Sequence, residues 1–171
     1  MTEKECLSAL LEQRGYAQAI GILVNMKAES AYNENALGDL KDGKYTSYGL
    51  CQWHGKRWER LQNYSGMITS IPVPTQISFL LWEMEKYYPK TWKVFNEIPD
   101  DKSGAERFAY YFCYNYEVPA NRQSSSEKRS VAAGDLYDKH YIEPVDSDTI
   151  IADALLKIME VEEILKKWKR S

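Results

Sequence analysis

Histidine is nearly absent: His54 and His140 are the only two in 171 residues. The three cysteines, Cys6, Cys51 and Cys113, lie far apart with no CxxC spacing. These shortages exclude a zinc cluster and a disulfide framework, so no metal or other cofactor is expected. The cysteines read as small buried thiols of a chain made in a reducing compartment. Basic charge is also scarce, with 22 Lys and Arg against 25 Asp and Glu, a net charge of −3. That sign is wrong for a nucleic-acid partner. It also gives no long-range attraction toward a membrane or an anionic cell wall. No apolar run is long enough to span a bilayer. The opening stretch MTEKECLSALLEQRGY carries acidic residues early and does not read as a secretory signal.

Aromatic residues, by contrast, are plentiful: thirteen Tyr and five Trp, enough for both a core and a planar stacking groove. Apolar periodicity predicts a mainly α protein. Helices are expected over 4–13, ended by Gly15, and over 16–32. Asn33 to Ser47 reads as an irregular wing, with a turn or small hairpin at Asp42-Gly43. Helix should return over 48–64. Thr75 is a plausible N-cap for a helix to about Tyr88, stopped by Pro89. Ser103 with Glu106 suggests a capping box for a helix ending before Pro119. SSSEKRSVAAGDLYDKHY forms another helix. Thr149 to Arg170 carries a wide apolar stripe. Residues 1–145 are therefore expected to form one domain. Residues 146–171 are expected to add a C-terminal helix that packs on it or docks a partner.

The stretch NMKAESAYNENALGD contains the residue that asks for an explanation. Glu29 stands at the last turn of an otherwise apolar helix, just before turn-forming residues. The negative end of the helix dipole disfavours a carboxylate there. Partial burial acts in the same direction, so both favour a carboxyl that keeps its proton. A proton-bearing carboxyl near neutral pH is what general-acid cleavage of a glycosidic bond requires. The competing reading is an ordinary exposed glutamate at a helix end. The next motif, TSYGLCQWHGKRW, adds an amide, Gln52, able to bond sugar hydroxyls or an N-acetyl group. Tyr48 and Trp53 add flat apolar faces with polar handles.

These two motifs together resemble the phage tail lysozyme family of the lysozyme-like superfamily. That family has a helix ending in Asn-x-x-x-Glu-Ser, a short wing, and then Gly-Leu-x-Gln-Trp. This chain has Asn25, Glu29, Ser30, Gly49, Leu50, Gln52 and Trp53 in that order. QISFLLWEM and FAYYFCYNYEVP are similar to the family's later helices, with Tyr116, Glu117 and Pro119 at its Tyr-Glu-x-Pro step. The resemblance runs from about Tyr16 to about Tyr137. It implies a helical lysozyme-like domain with a cleft between two lobes. The implied activity is cleavage of the β-1,4 bond between N-acetylmuramic acid and N-acetylglucosamine in peptidoglycan glycan strands. Glu29 matches the family's catalytic acid. Members are often parts of a virion tail tip. The expectation is thus a protein made in the host cytoplasm, carried by the virion beside other tail proteins, and acting on the cell wall.

The remaining site residues are less determined. Asp39 is the first choice for a second carboxylate, because Gly38 would let the wing fold back toward Glu29; Asp42 and Glu34 are also near in sequence. The plainer reading of Asp39 is an Asx-type turn residue. Without a second carboxylate, Ser47 or Tyr48 could position water. Alternatively the sugar's own 6-hydroxyl could attack, giving a lytic transglycosylase and an anhydro product. Ser30, Ser47, Tyr48, Gln52, Trp53 and Tyr116 are the expected substrate-binding set. Tyr116 could bond the Glu29 carboxyl, stack on a sugar, or sit in the core. Glu117 reads better as an ion-pair partner of Arg122 or Arg129 than as a supporting acid. A catalytically inactive structural component of a virion tail is the competing class, set against the retained Glu29, Gln52 and Trp53.

Overall fold

A computed structural model describes residues 2–140 of the chain. The helix expected over 149–170, and with it the proposed segment 146–171, lies outside the described residues. The described part contains seven α-helices and one three-stranded antiparallel sheet, a mainly α architecture.

Helix α1 (Glu3–Leu11) opens with a capping box. The Thr2 hydroxyl accepts from Glu5 N at 3.3 Å, while Glu5 Oε2 accepts from Thr2 N at 2.8 Å. Helix α2 (Tyr16–Ser30) is the central one. From Ala17 to Met26 only Gln18 escapes full burial, so this helix is apolar nearly all round. The Asp100 carboxylate accepts from Ala17 N at 2.5 Å and satisfies a donor at its N-terminus. Its most extensive neighbour is α6 (Lys102–Phe112). A Cβ on Gly21 would lie 2.8 Å from the Phe108 ring, so the two helices approach through that glycine.

The wing after α2 is a true hairpin. Strand β1 (Leu37–Lys41) pairs with β2 (Lys44–Tyr48), in a register that sets Leu37 opposite Tyr48 and Lys41 opposite Lys44. Asp42 and Gly43 have φ of 49° and 74°, as a two-residue hairpin turn of matching twist requires. The short β3 (Trp53–His54) adds to β2, with Tyr48 opposite Trp53.

Several elements differ from expectation, each for a local reason. The helix expected from Tyr48 begins only at Lys56, as α3 (Lys56–Ser65). Gly49, Gln52 and Gly55 all take positive φ (79°, 44° and 52°), which no helix tolerates. Helix α4 (Val73–Tyr87) starts after Pro72 instead of at Thr75, with Pro74 in the first turn, where its missing N–H costs nothing. Pro89 does not merely stop it; it opens α5 (Pro89–Asn96). The cap of α6 is Asp101, whose side chain accepts from Gly104 N at 2.7 Å, and not Ser103. Helix α6 runs into a π-helical turn, Cys113–Glu117, closed by Val118 N donating to Cys113 O at 2.9 Å. Helix α7 (Arg122–His140) then returns across α2 and α6.

Glu3 ties α1 to α7. Its carboxylate accepts from Lys139 Nζ at 2.8 Å and from Tyr32 Oη at 3.1 Å, and lies 2.8 Å from His140 Nε2. These partners, Lys139 foremost, pull its pKa down to about 2. A depressed carboxylate stabilises the fold above its unfolded value and loses that contribution as pH falls through the folded one. Acidification from about pH 4.5 to about 2 is therefore expected to lower the unfolding midpoint. In Glu3→Gln this part of the acid-induced fall should be missing, as measured by thermal unfolding across that range.

Candidate active site

Glu29 sits in the final turn of α2, where Ala31 and Tyr32 take left-handed φ of 50° and 66° and turn the chain into the wing. Its side chain is 20% exposed, neither sealed nor in bulk solvent. Asn25 lies one turn earlier on the same helix face. From α7, Arg129 reaches both. Its Nη1 donates to Asn25 Oδ1 at 2.6 Å and its Nη2 to Glu29 Oε1 at 2.5 Å. Asn25 is fixed in turn, its Nδ2 donating to Gly21 O at 2.8 Å and Ala109 O at 3.2 Å. The Ser30 hydroxyl donates to Leu50 O at 3.0 Å and pins the end of α2 to the Gly49–Gln52 turn. The sequence suggests Arg129 only as a partner for Glu117, and Asn25 only as part of a motif. The four-residue spacing of Asn25 and Glu29 is the signal that links them.

The wing residues are held by one another. The Ser47 hydroxyl donates to Gln52 Oε1 at 2.8 Å, and Gln52 Nε2 donates to Gly49 O at 3.0 Å and Ala36 O at 3.3 Å. The Gln52 amide expected to meet a sugar thus braces the wing. Gly38 is needed beside it, since a Cβ there would come within 2.2 Å of Gln52 Oε1. Asp39 is exposed on β1 with φ of 52°, and its carbonyl accepts from Thr46 Oγ1 at 2.6 Å. Gln76, fully buried on α4, fastens the wing to the helices: it accepts from Leu50 N at 2.9 Å and donates to Glu34 O at 2.8 Å.

The two expected stacking rings, Tyr48 and Trp53, are a correction, and of the three readings of Tyr116 the structure shows the core one. Tyr48, Trp53 and Tyr116 are all buried, at most 1% exposed, and their faces meet protein. Tyr48 stacks on Trp58 at 5.5 Å. Trp53 Nε1 donates to Tyr116 Oη at 2.9 Å, and Tyr116 Oη donates to Glu83 Oε2 at 2.7 Å. Tyr116 therefore bonds Glu83, not Glu29. Glu83 is fully buried and faces two guanidiniums, Arg57 at 3.1 Å and Arg60 at 3.3 Å. Arg57 also lies 4.1 Å over the Tyr116 ring. This chain of charges holds the floor beneath the turn. Sequence reasoning misses it, although Gln76, Ile77, Leu80, Glu83 and Met84 share the buried face of α4. Exposed ring surface is found instead at Tyr45, 50% exposed. It borders an open groove of about 450 Å³ between the hairpin and α3, with His54, Trp58 and Gln62 on its walls.

Glu117 makes neither ion pair expected of it. Arg129 is on Glu29, and Arg122 stacks at 3.9 Å on Tyr114 and donates to its carbonyl. Glu117 ends the π-helical turn with its Oε1 buried and unpartnered. Burial, followed by the charge of Glu29, pushes its pKa up to about 8, against the opposing pull of Arg57, Arg129 and Cys51.

The phage tail lysozyme family matches residues 2–140. The chain belongs to the phage tail lysozyme family. The family is one of lysozyme-like proteins that act on peptidoglycan. The match takes in α1 as well as the motifs around Glu29 and Gln52, and ends where the described residues end. No protein of curated function matches this chain in sequence. No helix among its described residues is long and apolar enough to cross a membrane.

Breaking the buried charge chain should cost more than any exposed pair. Glu83→Ala leaves Arg57 and Arg60 facing each other without their shared carboxylate and Tyr116 without its acceptor. A loss of about 3–5 kcal/mol is expected, read from denaturant unfolding.

Proposed function

We propose that this phage tail lysozyme is a muramidase, cleaving the β-1,4 bond between N-acetylmuramic acid and N-acetylglucosamine with Glu29 as general acid. The observation that carries this reading is the placement of Glu29: a half-buried carboxyl at the end of the central helix, beside the wing, in a chain of this family. Protonated Glu29 gives its proton to the glycosidic oxygen as the C1–O4 bond breaks. Water then adds to C1, and its spare proton returns to a carboxyl of the site. Asp39, exposed on the wing, is the carboxylate proposed to act from the opposite face. A separation of about 5 Å from Glu29 makes it a nucleophile, and about 6.5–9.5 Å a base for water. Ser30, Ser47 and Gln52 shape the border of the cleft, and Tyr48, Trp53 and Tyr116 support it from beneath.

Delivery by the virion tail fits the net negative charge, since a protein carried to the wall needs no electrostatic attraction to it. Other tail proteins are the proposed partners of the particle-bound enzyme.

Glu29→Gln is expected to reduce turnover of purified peptidoglycan by about 10²–10⁴-fold in a protein that still folds, with a lowered unfolding midpoint because Arg129 loses its counter-charge. A variant as fast as the parent removes Glu29 from the mechanism. Mass spectrometry of the parent's products is expected to show reducing ends. 1,6-Anhydro ends make the enzyme a lytic transglycosylase, and no products at any pH make it a structural component.

A further inference from the structure

The groove between the hairpin and α3 takes no part in the proposed reaction. Its volume of about 450 Å³ falls within the range of small-ligand pockets. Thr46 lines it, while the next residue, Ser47, turns to Gln52. Successive residues of a strand project to opposite faces, so the groove and the Gln52 border lie on opposite sides of β2. β3 pairs with β2 only at Ser47 and Tyr48, which leaves the sheet edge open beside Tyr45. The Tyr45 ring, 50% exposed, borders the groove from that edge. Trp58 enters from α3, half-buried and fixed by its stack on Tyr48 at 5.5 Å. Gln62 lies one turn later on the same helix face. Lys41, His54 and Glu59 complete the rim and are exposed. Their side chains make no hydrogen bond or ion pair among the described residues.

Two aromatic rings ringed by free donors and acceptors suit a saccharide. Its C–H faces pack on the rings, and its hydroxyls and N-acetyl amides take the polar groups. The charges of Lys41 and Glu59 cancel. A nucleic acid or an anionic membrane calls for clustered basic residues, and one lysine near a glutamate is no such cluster. An uncharged polar chain fits better, and the sugar backbone of peptidoglycan is one. We propose that this groove is a second, non-catalytic site for the N-acetylhexosamine glycan, holding the protein on the wall. The proposal rests on peptidoglycan being the substrate, and not on Glu29 being the acid. With a net charge of −3 the protein has no long-range attraction to an anionic wall, and ring-on-sugar contact supplies residence without charge. Tyr45 is the stacking platform and Trp58 the fixed wall. Lys41, His54 and Glu59 bond the sugar's polar groups.

The test uses the whole protein carrying Glu29→Gln, so that the glycan stays uncut. It is titrated with a soluble tetrasaccharide of alternating N-acetylglucosamine and N-acetylmuramic acid and followed by amide NMR. The amides of Tyr45, His54, Trp58 and Gln62 are expected to move together, on a binding curve separate from that of Ser30 and Gln52. Groove amides still silent at about 10 mM sugar overturn the proposal. Groove amides that move only in step with Ser30 and Gln52 make the groove part of the cleft and overturn it too. In the same background, Tyr45→Ala is expected to weaken cosedimentation with purified insoluble peptidoglycan by at least about fivefold, and Tyr45→Phe to restore it. Equal cosedimentation of all three proteins rejects the site. Tyr45 is exposed, so neither change disturbs the core. Products from the parent with a silent groove remove this site alone. Groove binding in a parent that yields no products removes the muramidase reading and leaves the site standing.

Discussion

The grip of Arg129 on Asn25 and Glu29 organises the end of the central helix, where the proposed active site lies. It joins α7 to the last turn of α2 across 100 residues of chain, with little of either side chain exposed to water. A carboxylate at the negative end of a helix is unfavourable on its own. Arg129 supplies the compensating charge, and Asn25 fixes the guanidinium while its amide nitrogen holds the carbonyls of Gly21 and Ala109. Glu29 is therefore held by three helices, α2, α6 and α7, all of which contribute to the core.

A second layer of charge works in a different way. Glu83, Arg57, Arg60, Tyr116 and Trp53 form a buried network in which each member has a partner. Such a network fixes geometry more than it adds stability. Here it joins β3, α3, α4 and the π-helical turn through Trp53, Arg57, Glu83 and Tyr116. Gln76 performs the same service for the wing through backbone bonds to Leu50 and Glu34. Glu117 stands outside these pairings.

Helix α2 was legible by length: the apolar run from Ala17 to Met26, buried nearly all round, is too long for an ordinary strand. The hairpin was legible from Asp42-Gly43, whose left-handed preference selects a tight turn. The segment 48–55 was not, because Gln52 takes φ of 44°, a conformation that its side chain does not announce. Glu29 stood out through its motif and its position at a helix end. Its partner could not be read, since nothing local connects Arg129 to a residue 100 positions earlier. The aromatic residues misled for a related reason: composition counts rings but does not say which face outward. Tyr48 and Trp53 proved to be core, as did Tyr116, for which the core was one of three readings, and Tyr45 is exposed.

The central claim is that Glu29 meets the scissile oxygen. The most direct measurement is a crystal structure of Glu29→Gln soaked with an oligomer of the peptidoglycan glycan strand. The account predicts a glycosidic oxygen within about 3 Å of the substituted amide, hydrogen-bonding distance, with the chain running along the wing. A glycan bound solely in the groove between the hairpin and α3, away from position 29, would contradict it.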